Sequence, residues 1–328
     1  MVTSLSVLDL SPIVTGATAA DALRNSLDLA QHAEQWGYLR YWVAEHHNMP
    51  GVASAATPVV ICHIAGGTKT MRVGAGGVML PNHAPLVVAE QFGTLESLFP
   101  GRIDLGLGRA PGTDPVTTFA LRRRSQSDAD TFPSDVEELR SFFRDVAPGQ
   151  IVRAVPGAGL RVPIWILGSS LVGAQIAAEL GLPFSFATHF APDLLTNALH
   201  IYRTNFKPSE ALQRPYVMLA IPAVAADTDA HARRMFTSLQ QQMLNLRRGR
   251  PGQLPPPVDD MAPIWTPAER EAIEHTFQYA AVGSPARVRQ TIDAFLARTG
   301  ANELMITAQI YDHAARLRSY ELISGAFR

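Results

Sequence analysis

Eight short apolar segments alternate with longer amphipathic segments along the chain, and this alternation constrains the fold more than any other feature. The apolar segments are typical of buried strands, and the stripes between them have helical spacing. The predicted strands cover residues 5–10, 38–47, 71–81, 103–108, 163–167, 184–187, 216–224 and 303–307. Because buried strands that alternate with helices form parallel sheets, the sequence predicts the α/β class.

A closed (β/α)8 barrel fits this order better than an open, doubly wound sheet. An open sheet of the dinucleotide-binding kind would carry a Gly-x-Gly-x-x-Gly turn directly after the first strand, and the sequence has none there. No break separates two halves, so residues 1–328 are predicted to form a single TIM barrel domain. Residues 247–267, rich in proline, glycine and arginine, are predicted to form a long insertion loop before the last strand and to act as a mobile lid.

Composition and charge exclude several classes of function. Hydrophobic residues make up 47% of the chain and charged residues 17%, which excludes a disordered protein. A formal net charge of -1 provides no bulk attraction to nucleic acid or to a membrane surface. The single cysteine, Cys62, cannot form an internal disulfide and is expected to pack in a helix. With neither a leader segment nor a membrane-spanning stretch in the sequence, we expect a cytoplasmic enzyme that binds a small molecule.

The second predicted strand ends in three titratable residues, Glu45, His46 and His47. The carboxyl ends of barrel strands build the active site, and an imidazole can act as an acid or a base near neutral pH. Neighbouring side chains on a regular strand point to opposite faces, so only one histidine can face the pocket squarely. This spacing also separates the two imidazoles, and no helical His-x-x-x-His pair supports a metal centre, so no metal is expected.

Three further strand ends predict a bound phosphate and a flat ring. Gly168, Ser169 and Ser170 open a helix whose first N–H groups attract anions, and the guanidinium of Arg109 suits phosphate oxygens. The glycine pair 76–77 would let an aromatic ring lie against the backbone. Simpler explanations stay open: serines that only cap the helix, an arginine paired with a surface carboxylate, and glycines that only give packing clearance.

These blocks resemble those of the bacterial luciferase-like, flavin-dependent monooxygenases. The resemblance rests on Glu45-His46-His47 and on residues 73–81, 100–109 and 166–170, and it extends from Leu5 to Phe327. It implies a barrel that uses reduced FMN as a co-substrate, supplied by a separate flavin reductase. It also implies that O2 adds to the flavin as a C4a-peroxyflavin, which then oxygenates a small organic substrate.

The resemblance also implies roles for individual residues. His46 matches the catalytic histidine, with Glu45 and His47 as its neighbours in the pocket. Gly76 and Gly77 match a pair joined by a cis peptide bond against the flavin ring, and Arg109, Ser169 and Ser170 match phosphate contacts. A homodimer packed through the helices near strands two to four is implied as well.

The resemblance leaves substrate and cofactor open. Gly108 stands where the luciferase α subunit has a cysteine, so nothing follows about aldehyde use or light emission. A substrate such as an aldehyde or a natural-product intermediate is compatible with the blocks that match. Two alternatives remain: a deazaflavin-dependent hydride-transfer oxidoreductase of the same fold, and a flavin-binding protein without catalytic turnover.

Overall fold

The computed structural model describes residues 4–110, 112–122 and 131–328, with nine strands in these ranges. The strands are β1 Ser4–Asp9, β2 Arg40–Val43, β3 Arg72–Met79, β4 Ile103–Gly108, β5 Ile164–Gly168, β6 Phe184–Phe186, β7 Val217–Ala225, β8 Ala281–Gly283 and β9 Glu303–Thr307. The helices are α1 Ala19–Gln35, α2 Thr57–Gly67, α3 Pro85–Leu98, α4 Pro115–Arg122, α5 Phe132–Phe143, α6 Leu171–Leu180, α7 Leu195–Asn205, α8 Asp229–Arg247, α9 Pro267–Thr276, α10 Pro285–Thr299 and α11 His313–Ala326.

Eight of the strands form a closed parallel barrel, which confirms the predicted (β/α)8 fold. Each strand from β1 to β6 pairs with the next along the chain, and β9 lies between β7 and β1, so the sheet closes on itself. The helices cover the outside, and their apolar faces pack with the outward side chains of the strands in one continuous core. Among the described residues, no helix has both the length and the apolar character needed to cross a membrane.

Local sequence signals explain several helix ends. Thr18 and Asp21 form a capping box at the start of α1, because each side chain accepts a hydrogen bond from the other residue's backbone N–H. Gly181 and Gly300 end α6 and α10 in the left-handed conformation that glycine adopts without a steric penalty. These signals act within a few residues, so they could be recognised in the sequence.

Three elements were not predicted. Helix α9 begins with a capping box of Thr266 and Glu269 followed by Pro267, a signal that could have been recognised. Helix α4 is short, and β8 has only three residues. Strand β7 is long enough to pair with β9 along Met218–Pro222 and then with β8 along Ala223–Ala225, and this pairing alone defines β8 as a strand.

The predicted insertion loop lies between α8 and α9 and contains no regular helix. Its backbone forms a single bridge to the segment after β1, where the N–H of Leu254 donates to Ile13 and the N–H of Thr15 donates to Leu254, both at 2.9 Å. The side chain of Leu254 is fully buried. The loop is therefore joined to the barrel at its centre, while its mobility stays a prediction.

Side-chain alternation on β2 divides this strand between two environments. Tyr41 and Val43 face the helices, whereas Trp42 lies inside the barrel with Trp165, Met218 and other interior residues. The Trp42 and Trp165 rings meet edge to face with centroids 5.2 Å apart. These side chains fill the middle of the barrel, and the strand ends beyond them border a cavity.

A buried ionic network closes the opposite, amino-terminal end of the barrel. Arg40 binds Glu303 through Nε and Asp104 through Nη1, both at 2.7 Å, and all three side chains are almost completely buried. Tyr216 donates to Glu303 at 3.0 Å, and Arg72 binds the other oxygen of Asp104 at 2.6 Å. Burial lowers the pKa of Arg40, but attraction to Asp104 and Glu303 outweighs it and raises that pKa above its usual value.

Candidate active site

A cavity of about 480 Å³ opens at the carboxyl end of the barrel strands. It is lined by residues from the ends of all eight barrel strands, from α8 and from the insertion loop. Of the residues predicted for the site, those that line it are His46, Gly76, Gly77, Arg109, Gly168, Ser169 and Ser170. Seven of the nine predicted residues are therefore brought together in one pocket.

His46 lies in the cavity because it continues the inward face of β2. Arg40, Trp42, Ala44 and His46 are spaced by two residues, and the last three reach the barrel interior or the cavity wall. The Nδ1 atom of His46 lies 3.3 Å from the carbonyl oxygen of Gly112, to which it can donate. That bond leaves the lone pair on Nε2, because a neutral imidazole carries only one N–H.

Glu45 and His47 do not line the cavity, which corrects the prediction that they share the pocket with His46. They alternate onto the other face and form a cluster with His83. The Nε2 atoms of His47 and His83 each lie 2.8 Å from Oε1 of Glu45, and the N–H of Met79 donates to Oε2 at 3.1 Å. Burial raises the pKa of Glu45, but the hydrogen bonds and charge of His83 and the bonds from His47 and Met79 lower it overall. The cluster joins the end of β2 to the end of β3.

This cluster has the spacing of a metal site, although none was expected. The three ligand atoms of Glu45, His47 and His83 lie within 4.8 Å of one another. Both imidazoles nevertheless contact one carboxylate oxygen at hydrogen-bond length, so the group is satisfied by N–H donors alone. Hydrogen bonds alone therefore account for this cluster, which supports the neighbouring His46. The absence of a metal stays a prediction.

The glycine pair on β3 is closely packed, and backbone restricts it at Gly77. A Cβ atom at Gly77 would lie 2.7 Å from the carbonyl oxygen of Gly106, and one at Gly76 would lie 2.8 Å from a methyl carbon of Leu8. The peptide bond between the two glycines is cis, as the resemblance implies, and the pairing of β3 with β4 shifts register there. Both glycines border the cavity, so packing clearance and an exposed backbone surface occur together.

The anion-binding groups come from adjacent strands. Gly108 of β4 pairs with Leu167 of β5, so Arg109 and Gly168 leave the barrel side by side. Ser170 is the N-cap of α6, yet its side chain makes no capping hydrogen bond. The hydroxyl and the first N–H groups of α6 thus remain available next to a guanidinium, which is the donor set that a phosphate monoester needs.

The insertion loop covers one side of the cavity mouth. Pro251 and Gly252 line the cavity, and Gly252 packs so closely on the loop after β2 that a Cβ at Gly51 would lie 2.3 Å from its carbonyl oxygen. Gln242 of α8 also approaches this contact. The loop therefore occupies the place expected of a lid, at the carboxyl end of the barrel.

Polar residues of the cavity that were not predicted include Thr307 and Gln309. Thr307 is the last residue of β9 and Gln309 lies just after it, so the rule that strand ends build the site could have found them. His189, which lies beyond β6, lines the cavity too. Burial lowers its pKa to about 3, and repulsion from His46 contributes. Burial also lowers the pKa of His46, against its hydrogen bond to Gly112, so both imidazoles are neutral at physiological pH.

Acid is expected to destabilise the protein through His189. An unfolded chain takes up a proton on histidine below about pH 6.5, whereas the folded protein cannot do so until about pH 3. Stability from this group is therefore complete above pH 6.5 and falls with pH, by up to about 2 kcal/mol between pH 7 and pH 5. Urea unfolding of the wild type and of His189→Gln at both pH values would measure it, and an equal pH dependence in the two proteins would contradict the assignment.

The closed barrel and the cavity at its carboxyl end, lined by Arg109, two neutral histidines and a pair of glycines, define a (β/α)8 protein with a ligand-sized pocket. The family model described as luciferase-like monooxygenase matches residues 4–303, and the chain belongs to this family. The prediction that the protein is an oxidoreductase of the monooxygenase class is thereby confirmed.

Sequence relatives match almost the whole chain, and two of them show its range of similarity. A luciferase-like monooxygenase from Escherichia coli (strain K12) is 55% identical over 319 residues, which are 97% of this chain and 95% of the relative. The N-acetyl-S-alkylcysteine monooxygenase of Bacillus subtilis (strain 168) is 32% identical over 330 residues, covering 98% and 97% of the two chains.

Solved structures show the same fold. The crystal structure of apo-MsnO8 has a TM-score of 0.88 and 35% identity, covering 99% of this chain and 98% of that one. The oxygenating constituent of 3,6-diketocamphane monooxygenase from Pseudomonas putida, solved with FMN, has a TM-score of 0.75 and 18% identity over 99% and 97% of the chains. An F420-dependent secondary alcohol dehydrogenase is also similar, with a TM-score of 0.71 and 17% identity over the full length of both.

Proposed function

We propose that this enzyme binds reduced FMN as a co-substrate and uses it with O2 to oxygenate a small organic substrate. The observation that carries the proposal is the donor set of Arg109, Ser169 and Ser170 at the start of α6, on one wall of the cavity. An FMN phosphate would be held there by a guanidinium, two hydroxyls and the N-terminus of a helix. Membership of a monooxygenase family and a structural neighbour solved with FMN support the same cofactor.

Residues of this chain would orient the flavin and transfer one proton. Gly76 and Gly77 offer a backbone surface without side chains, suited to the ring. His46, neutral and with its lone pair on Nε2, would accept or return a proton at the reacting atoms. Glu45, His47 and His83 would hold the segment that carries His46 against β3. When bound, reduced FMN would supply the electrons that activate O2.

One experiment tests this function directly. Photoreduced FMN is mixed with the purified protein and O2, and the flavin absorbance is followed by stopped flow. We expect tight binding of reduced FMN and reoxidation through a species distinct from free reduced and free oxidised FMN. A folded protein that fails to bind reduced FMN in the micromolar range would refute the proposal. Hydride transfer from reduced deazaflavin, tested in parallel, would instead favour the second candidate, for which an F420-dependent structural neighbour is the support.

Arg109→Ala is expected to weaken FMN binding about 10- to 100-fold, because a charge-assisted hydrogen bond contributes about 1.5–3 kcal/mol. Affinity for riboflavin, which lacks the phosphate, should stay unchanged. Fluorescence titration with both flavins measures the two constants. Arg161→Ala is the matched control, since Arg161 is exposed before β5 at the opposite end of the barrel. Equal FMN affinity in the wild type and Arg109→Ala would show that the phosphate lies elsewhere.

Three partner and location predictions accompany this function. A separate flavin reductase, a cytoplasmic location and a homodimer are proposed on the family resemblance. For the dimer, the surface of α2 and α3 gives support, because Val59, Val87 and Leu98 are large apolar side chains between 45% and 69% exposed. Light scattering of the purified protein would test it, and a monomer at micromolar concentration would contradict it.

A further inference from the structure

The cavity has two walls of different chemistry. The wall formed by the ends of β3, β4 and β5 carries the glycines, Arg109 and the serines assigned above to the flavin. The opposite wall is formed by the ends of β6, β7, β9 and β1 and is covered by α8. Apolar side chains dominate this second wall, among them Leu10, Pro222, Leu239, Met243, Leu246 and Met305.

Charge is confined to the first wall. Of the described residues that line the cavity, Arg109 is the only one with a permanent charge, and no carboxylate lines it. His46 and His189 add no positive charge near neutral pH, because burial lowers the pKa of both. A charged group placed on the second wall would therefore lose its water without gaining a counter-ion, which is strongly unfavourable.

Two polar side chains on the second wall lack partners. Nδ1 of His189 and the amide oxygen of Gln309 are shielded from solvent, and neither has a hydrogen-bond partner within the described part of the chain. Buried polar groups are normally paired, so unpaired ones in a ligand cavity call for an explanation. A hydrogen-bonding group on a bound ligand would be the partner that the protein itself does not supply.

We infer that the substrate is uncharged and largely apolar, with one neutral hydrogen-bonding group that contacts Gln309. This inference rests on the proposed function, because it assigns Arg109 to the flavin phosphate. The inferred substrate differs from N-acetyl-S-alkylcysteine, the compound in the name of one relative. The free carboxylate of that compound would find no cation on the second wall. Gln309 determines the position of the polar end, and the side chains of α8 and β9 enclose the apolar body.

Three ten-carbon probes of matched length test the inference on the FMN-loaded protein. Calorimetric titration compares decan-1-ol, decanoate and decylammonium. We expect decan-1-ol to bind at least about tenfold more tightly than either ion, because only the ions carry an unpaired charge into the cavity. Decanoate or decylammonium binding as tightly as the alcohol would overturn the inference, and so would the absence of binding by all three.

Variants of Gln309 test the polar contact separately. Gln309→Leu should weaken decan-1-ol about three- to tenfold, the size expected for one neutral hydrogen bond. Gln309→Glu should shift the preference toward decylammonium by at least about tenfold, because it adds the missing counter-charge. Gln278→Leu, at an exposed site, is the control. Unchanged preferences in both Gln309 variants would overturn the contact.

A prior titration with FMN distinguishes failure of the proposed function from failure of the inference about the substrate. If FMN does not bind, the proposed function fails and the assignment of the second wall falls with it. If FMN binds and the probes show the opposite charge preference, only the inference about the substrate fails.

Discussion

Arg40→Leu is expected to lower the free energy of unfolding by about 3–5 kcal/mol, the cost of leaving buried carboxylates without their cation. Among the described residues, Glu303 would keep hydroxyl partners from Ser6 and Tyr216, and Asp104 would keep Arg72 and the indole N–H of Trp42. The barrel gives these groups no access to water, because Glu303 and Asp104 are completely buried. Urea unfolding at pH 7 measures the change.

Two further variants show whether the loss comes from the buried charge. Arg270→Leu removes an arginine from an exposed pair with Glu274 on α9, and it should cost less than about 1 kcal/mol. Combining Arg40→Leu with Glu303→Gln should recover part of the lost stability, because the double variant buries one charge fewer. A loss below about 1 kcal/mol for Arg40→Leu alone would show that the network contributes little.

His46→Ala is expected to slow substrate oxygenation about 100- to 10,000-fold, the range typical for a positioned acid or base. FMN affinity should change by less than about twofold, because the phosphate groups lie on other strands. The assay uses a neutral thioether or ketone that the wild type oxygenates, with fluorescence titration of FMN beside it. His46→Ala should therefore lower the rate and leave FMN affinity nearly unchanged. Arg109→Ala, in contrast, should lower FMN affinity.

Matched histidine variants show which imidazole acts at the reacting atoms. His63 is exposed on α2, so His63→Ala should leave both rate and FMN affinity unchanged. His83→Gln removes one support of Glu45 without touching the cavity, and we expect an intermediate loss of rate. A wild-type rate in His46→Ala would refute its proposed role, and a larger loss in His83→Gln than in His46→Ala would place the chemistry at the cluster instead.

Much of the fold could be predicted because its signals are local. The order of the eight barrel strands, the capping box of Thr18 and the irregular insertion loop depend on residues close together in the chain. The alternation along β2 likewise predicted that His46 and His47 could not both face the pocket. The same reasoning missed α9, although its capping box is as clear as that of α1.

The buried ionic network could not be predicted from local sequence patterns. Arg40 stands inside an apolar run that predicts a strand, and nothing nearby indicates that it will be buried with acids from β4 and β9. Glu303 lies 263 residues away along the chain. Only closure of the barrel brings these side chains together, because β1 then pairs with β9 and their first residues meet at one end.

The sequence by itself determined the barrel class and the strand ends that meet at the cavity, and it predicted the residues that we propose for the phosphate and the proton. Those inferences follow from periodicity and from the rule that parallel strands end on one face. Only the tertiary structure decided that Glu45 and His47 turn away to meet His83, and that His189 and Gln309 share an uncharged wall. The reason is physical: side-chain direction and burial depend on contacts between distant strands, which local sequence patterns do not encode.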